Sequence, residues 1–168
     1  MTEQQQYTVV RPLGGGIAEL RRYAPCVMAD VVVTGDYRRA TYEGFRPLVT
    51  YISRHDIAMT APVVQEGAAG DAWRVSFVMP AGMTLGALPT PPDRDVSLRE
   101  VPEHFAAAIR FSGLASRRDI ARQEQRLRDC LQAEGIAPIG SVRVARFDPP
   151  WTPPFMRHNE VVIDVGGQ

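Results

Sequence analysis

LREVPEHFAAAIRFSG, residues 98–113, lies over LRRYAPCVMADVVVTG, residues 20–35, at an offset of 78. Leu98-Arg99 repeats Leu20-Arg21, Ser112-Gly113 stands over Thr34-Gly35, and HFAAAIRFS covers CVMADVVVT, two stretches that both read as strands. The same plan follows each copy. After the first, Asp36 caps a helix running to about residue 54, with Tyr37, Thr41, Phe45, Leu48 and Ile52 on one stripe. Pro47 inside it predicts a kink or a late start. Strands at residues 60–65 and 73–79 then flank the turn GAAGDA, and residues 80–95, PAGMTLGALPTPPDRD, form a loop. After the second copy, Ser116 with Asp119 starts a helix striped by Ile120, Leu127 and Leu131 and ended by Gly135. Strands at 142–147 and 159–165 close the chain. The reading is ββαββ twice, over about residues 17–80 and 96–165. Chance recurrence of strand patterns is the alternative to a duplication.

If the halves are equivalent, the two-residue period of a strand assigns the faces. Val27, Ala29, Val31 and Val33 overlie Phe105, Ala107, Ile109 and Phe111, an apolar face against the helices. The other face carries Cys26, Met28, Asp30 and Val32 in one half and His104, Ala106, Ala108 and Arg110 in the other, and would line a groove or a closing barrel. Asp30 and Arg110 hold near-equivalent places there, so an ion pair between them is expected.

At 168 residues and 45% hydrophobic content the chain suits one domain, taken as residues 17–168 behind a loosely held segment, residues 1–16, that ends in Gly14-Gly15-Gly16. The 19 cations balance 19 Asp and Glu, so the overall charge points to neither nucleic acid nor an anionic membrane surface. All 19 cations are arginine, which excludes a lysine Schiff base. No apolar run approaches the roughly 20 residues of a membrane span, and the opening MTEQQQYTV lacks the pattern of a signal peptide. A soluble, cytoplasmic protein is expected. Cys26 and Cys130 read as reduced, structural thiols.

The stretch 147–165, FDPPWTPPFMRHNEVVIDV, turns from a proline-stiffened loop into a strand. Pro149, Pro150, Pro153 and Pro154 hold Trp151 and Phe155 away from any sheet. Such a loop walls a flat apolar ligand or lids the protein's own core, and spacing alone supports both. Beyond it, Glu160 falls on the face opposite Val161, Ile163 and Val165. It binds a cation or a ligand N–H there, or it receives an arginine such as Arg157, Arg146 or Arg110. Strong catalytic signatures are absent: the chain has no GxSxG, P-loop, HExxH or GxGxxG. His55, His104 and His158 are too widely spaced to suggest zinc. Cys26 beside His104 lacks the glycine-rich oxyanion segment of a cysteine hydrolase.

ELRRYAP (residues 19–25), MTAPV (59–63), FVMP (77–80), FSG (111–113) and DPPWTPPFMRHNEV (148–161) together resemble the SOUL/haem-binding protein family over about residues 17–165. The resemblance implies an α+β fold: a distorted antiparallel β-barrel of duplicated ββαββ halves with two flanking helices, similar to gyrase-inhibitor-like effector-binding domains. It also implies reversible binding of haem or a related tetrapyrrole, without catalysis, in a buffer or carrier. The implied site is an apolar cleft between the first helix and the proline loop: Tyr42, Arg46, Val49, Ser53 and Arg54 on one side, Trp151, Phe155, Met156, Arg157 and His158 on the other. Arg46, Arg54 and Arg157 are then the cations available to propionates. Two departures matter. Arg22 stands where some members carry an iron-ligating histidine, and Thr50 and Thr152 replace lysines. His158 is therefore the first choice as iron ligand, before Met156 or His55. Monomer and dimer both stay open. The alternatives are a small-molecule sensor or hydrolase of the effector-binding type, using Glu160 and Asp30, and a protein-interaction module anchored by Trp151 and Phe155.

Overall fold

A computed structural model describes residues 2–92 and 95–168 of the chain. In order, its elements are β1 (Glu3–Gln4), β2 (Tyr7–Leu13), β3 (Ala18–Tyr23), β4 (Cys26–Thr34), α1 (Tyr37–Arg54), β5 (Thr60–Gly67), β6 (Ala72–Val78), β7 (Ser97–Val101), β8 (His104–Phe111), α2 (Arg117–Ala133), β9 (Pro138–Arg146) and β10 (Asn159–Val165). The α+β class is as expected, and ββαββ recurs as β3-β4-α1-β5-β6 and β7-β8-α2-β9-β10.

The chain divides into two compact units, Met1–Gln5 with Pro25–Pro102, and Gln6–Ala24 with Glu103–Gln168. In the first, the strands run β5-β6-β4-β7, each antiparallel to its neighbour, and β1 adds in parallel to β5. In the second they run β2-β3-β8-β10-β9, again antiparallel. The units do not coincide with the sequence repeats. Each repeat lends its opening strand to the other unit: β7 pairs with β4, and β3 with β8. A strand edge needs partners for its N–H and C=O groups, and hydrogen bonding alone does not require them to come from the same repeat.

This exchange corrects one expectation. Asp30 does not pair with Arg110: Asp30 and Arg110 belong to different units, and the strands beside Asp30 are β6 and β7. Ser76 Oγ donates to Asp30 Oδ1 at 2.5 Å and Arg99 Nε to Oδ2 at 2.8 Å. Within the second unit, β2 covers the outer edge of β3 from Tyr7↔Tyr23 to Leu13↔Ala18, with a register shift between Val9 and Arg11.

The face assignment matches the packing. Val27, Ala29 and Val31 are buried with Leu48, Tyr51 and Ile52 of α1, and Ala107 and Ile109 with Leu127 and Leu131 of α2. Asp36 Oδ1 accepts from Arg39 N at 2.8 Å and starts α1, which runs through Pro47 without interruption. Gly44 brings α1 close to β6, where an added Cβ would lie 2.6 Å from a methyl of Val75. Ser116 caps α2, and Gly135, at φ +69°, ends it in the left-handed region open to glycine.

Candidate functional site

In the second unit the sheet face away from α2 carries a buried polar chain. Leu20 and Val161 point into the core, so alternation turns Arg21 and Glu160 to the opposite side. Arg21 donates from Nη1 to Glu160 Oε1 at 2.7 Å and from Nη2 to Oε2 at 2.9 Å, a two-pronged pair with side chains 5% and 2% exposed. Arg21 also donates from Nε to Glu19 Oε2 and from Nη1 to Tyr23 Oη, both at 2.9 Å, and its guanidinium lies 4.0 Å from the Tyr7 ring centre. Sequence reading considered Arg157, Arg146 and Arg110 for Glu160 and missed Arg21. The match of Arg21 to Arg99 and the alternation of ELRRY set the face that Arg21 occupies, but neither selects Glu160 as its partner.

His158 Nε2 sits 2.8 Å from Glu160 Oε2, and its ring stacks on Phe147 at 4.0 Å. Burial alone would raise the Glu160 pKa. The hydrogen bonds from His158 and Arg21 and the charge of Arg21 outweigh it, holding the carboxyl below the usual glutamate range. Burial likewise opposes the charge of Arg21, yet its bonds to Glu160 and Tyr23 raise its pKa overall. The Tyr23 phenol is pushed up, chiefly by burial. On its far side, Tyr23 stacks on His104 at 5.2 Å, and Arg143 joins His104 at 3.2 Å to Asp164 at 2.5 Å. Glu160 is thus neutralised by a guanidinium, and a carboxylate so held is a poor general base.

The proline loop between β9 and β10 hangs from that cluster. Asp148 Oδ2 accepts from His158 N at 2.5 Å, and Phe147 N donates to His158 O at 3.0 Å. Arg157 donates to the carbonyls of Thr152 at 2.9 Å and Pro150 at 2.6 Å. The turn after β8 holds the loop from the side, through Gly113 N to Pro154 O at 2.8 Å and Asn159 Nδ2 to Gly113 O at 2.9 Å. Burial, with a smaller contribution from Arg157, pushes the Arg146 guanidinium down to about 10, so it stays cationic at neutral pH. The loop is stapled, yet Trp151, Phe155 and Met156 point outward at 83%, 79% and 62% exposure. They do not lid the protein's own core.

Of the residues expected on α1, Tyr42, Arg46, Ser53 and Arg54 are exposed and Val49 is half-buried, all within the first unit. Trp151, Phe155, Met156, Arg157 and His158 are brought together on one loop of the second. His55 closes α1, its Nε2 buried without a hydrogen-bond partner. Cys26 belongs to the first unit and His104 to the second. Among the described residues, no group of three His, Cys, Asp or Glu side chains could hold a metal ion, and no helix is long and apolar enough to cross a membrane.

Residues 2–164 match the family model described as SOUL heme-binding protein. No curated protein matches the chain. Among solved structures it is similar to the EcmrR C-terminal domain, with TM-score 0.72, 10% identity, 90% of this chain covered and 98% of that one. It is also similar to a hydrolase from Listeria innocua, with TM-score 0.64, 13% identity and 94% of each chain covered. A third likeness is to SAV2435 bound to tetraphenylphosphonium, with TM-score 0.55, 7% identity, 89% of this chain covered and 94% of that one. At these identities the likeness is one of fold.

Proposed function

The chain belongs to the SOUL heme-binding protein family, and on that premise we propose that it binds haem or a related tetrapyrrole reversibly, as a buffer or carrier, on the apolar surface of the proline loop. The observation that carries this is the outward exposure of Trp151, Phe155 and Met156 on a loop stapled by Arg157 and anchored by His158. A porphyrin needs apolar plates for its ring and cations for its propionates, and a loop already stiff loses little entropy on meeting it. Arg157 and Arg146 supply cationic charge at the loop base. The α1 residues Tyr42, Arg46, Val49, Ser53 and Arg54 carry the same chemistry and form a separate arm of the test.

The residues fit the ring better than the iron. His158 Nε2 is engaged by Glu160 and one ring face by Phe147, so Nδ1 is the nitrogen left for a metal. Met156 offers a thioether at the exposed surface. We retain His158 as the first candidate ligand, ahead of Met156 and His55. No catalytic step is proposed: Asp30 and Glu160 are each held by a guanidinium, which argues against their use as hydrolytic groups or as the seat of a cationic effector.

Titration with hemin, followed by the Soret band, tests the reading. Saturable binding is expected, weakened about tenfold or more when Trp151 and Phe155 are both changed to Ala, in line with the loss of interface aromatic anchors. Unchanged affinity in that variant, or a spectrum showing only nonspecific hemin, overturns it. The Arg46→Gln/Arg54→Gln variant reports on the α1 arm, and the His158→Ala spectrum on ligation.

A further inference from the structure

Zero net charge over the whole chain hides a local excess. The proline loop and the β8–α2 turn are tied together through Gly113 and Pro154. These segments with the strand and helix ends that flank them, residues 110–119 and 146–158, hold five arginines (Arg110, Arg117, Arg118, Arg146, Arg157) against Asp119 and Asp148, a net charge of +3 with His158 neutral. The same two segments expose Trp151, Phe155 and Met156 together with Leu114, itself 65% exposed. Arg117 and Arg118, both exposed, occupy the first two positions of α2, where the helix dipole disfavours cations.

We propose that this face docks peripherally on an anionic lipid bilayer. Trp151, Phe155, Met156 and Leu114 would enter the headgroup–acyl boundary, and the exposed Arg110, Arg117 and Arg118 would meet acidic headgroups. Three features favour a bilayer over a protein partner. Aromatic and thioether side chains project from a stiff loop tip, as insertion at an interface requires, and tryptophan settles at headgroup level. The cations flank both tethered segments, so positive charge accompanies the apolar side chains, which matches the negative surface potential of acidic lipid. Finally, guanidiniums outnumber carboxylates there, whereas a protein interface is ordinarily rimmed by charges of both signs. The proposal stands whether or not the same loop takes a tetrapyrrole, so its test is made without hemin.

The experiment is co-sedimentation of the full chain with phosphatidylcholine vesicles, with and without phosphatidylserine, together with Trp fluorescence. Binding is expected only with phosphatidylserine, falling as salt is raised, with a blue shift that disappears in Trp151→Ser while Trp73 continues to emit. The Trp151→Ser/Phe155→Ser and Arg117→Gln/Arg118→Gln variants should each weaken binding about tenfold or more. These side chains are exposed, and an unchanged circular dichroism spectrum confirms folding. The proposal is overturned by no binding to either vesicle, by equal binding to both, or by binding that either variant leaves intact. A wild-type dimer that Trp151→Ser/Phe155→Ser makes monomeric, without vesicle binding, assigns the face to a second copy and also overturns it.

Discussion

The two units share one strand plan and put an arginine at the same place in it. Arg99 stands opposite Met28 in the first unit, and Arg21 opposite Ala106 in the second, each pair related by the offset of 78. Their surroundings differ. Arg99 is 36% exposed and meets Asp30 from the adjacent strand β4, with Ser76 as a second donor. Arg21 is sealed against Glu160 from β10, and Glu160 in turn holds His158 at the root of the proline loop. The hairpins differ in parallel: β5 and β6 are joined by a short turn, whereas β9 and β10 are separated by twelve residues rich in proline and aromatics. One scaffold therefore makes a half-exposed ion pair in the unit whose last hairpin is closed by a short turn, and a buried ion pair beneath the proline loop. The buried arginine supports the loop; its counterpart supports only the sheet.

The largest expected effect tests that contrast. Glu160→Ala strands a buried guanidinium and should cost about 3–5 kcal/mol of unfolding free energy in denaturant titration. Asp30→Ala should cost about 1–2 kcal/mol, because Arg99 can turn toward water. Equal losses would break the comparison.

A helix contrast comes next. α1 approaches its sheet through Gly44, and α2 contains no glycine. Gly44→Ala drives a methyl into Val75 and should destabilise by about 1–3 kcal/mol, with the thermal midpoint as readout. An unchanged midpoint would show that β6 yields easily there.

The pH dependence gives a finer test. Since Glu160 is held below its unfolded pKa, its contribution is fully present above the ordinary glutamate value of about 4.3 and is lost as pH falls through the depressed folded value. The stability difference between wild type and Glu160→Gln should be constant near neutrality and shrink below that range. A difference that grows on acidification would reverse the assigned sign.

The smallest effect belongs to the loop tip. Trp151→Ala and Phe155→Ala should each change stability by less than about 0.5 kcal/mol, as exposed positions do, while weakening hemin binding. A large stability loss would mean that the tip supports the fold.

Much of this architecture could be read along the chain because local patterns govern it. The stripe of α1, the caps at Asp36 and Ser116, the stop at Gly135 and the alternation in CVMADVVVT and HFAAAIRFS all depend on near neighbours. The proline loop was legible for the same reason, since proline constrains its own φ wherever it sits. The partners of the buried charges were not. Arg21 and Glu160 lie 139 residues apart, and nothing in the spacing of either selects the other.

Periodicity and capping thus settled which segments become strand or helix and which side of each meets the core, because these are contests within one or two turns of backbone. The choice of neighbours across a sheet edge was left to the folded chain: β3 bonding to β8, β7 to β4, and Glu160 enclosing Arg21. A backbone edge accepts any strand of suitable pleat, and a carboxylate accepts any guanidinium. Only burial of the whole set, with every polar group satisfied at once, selects one pairing from many.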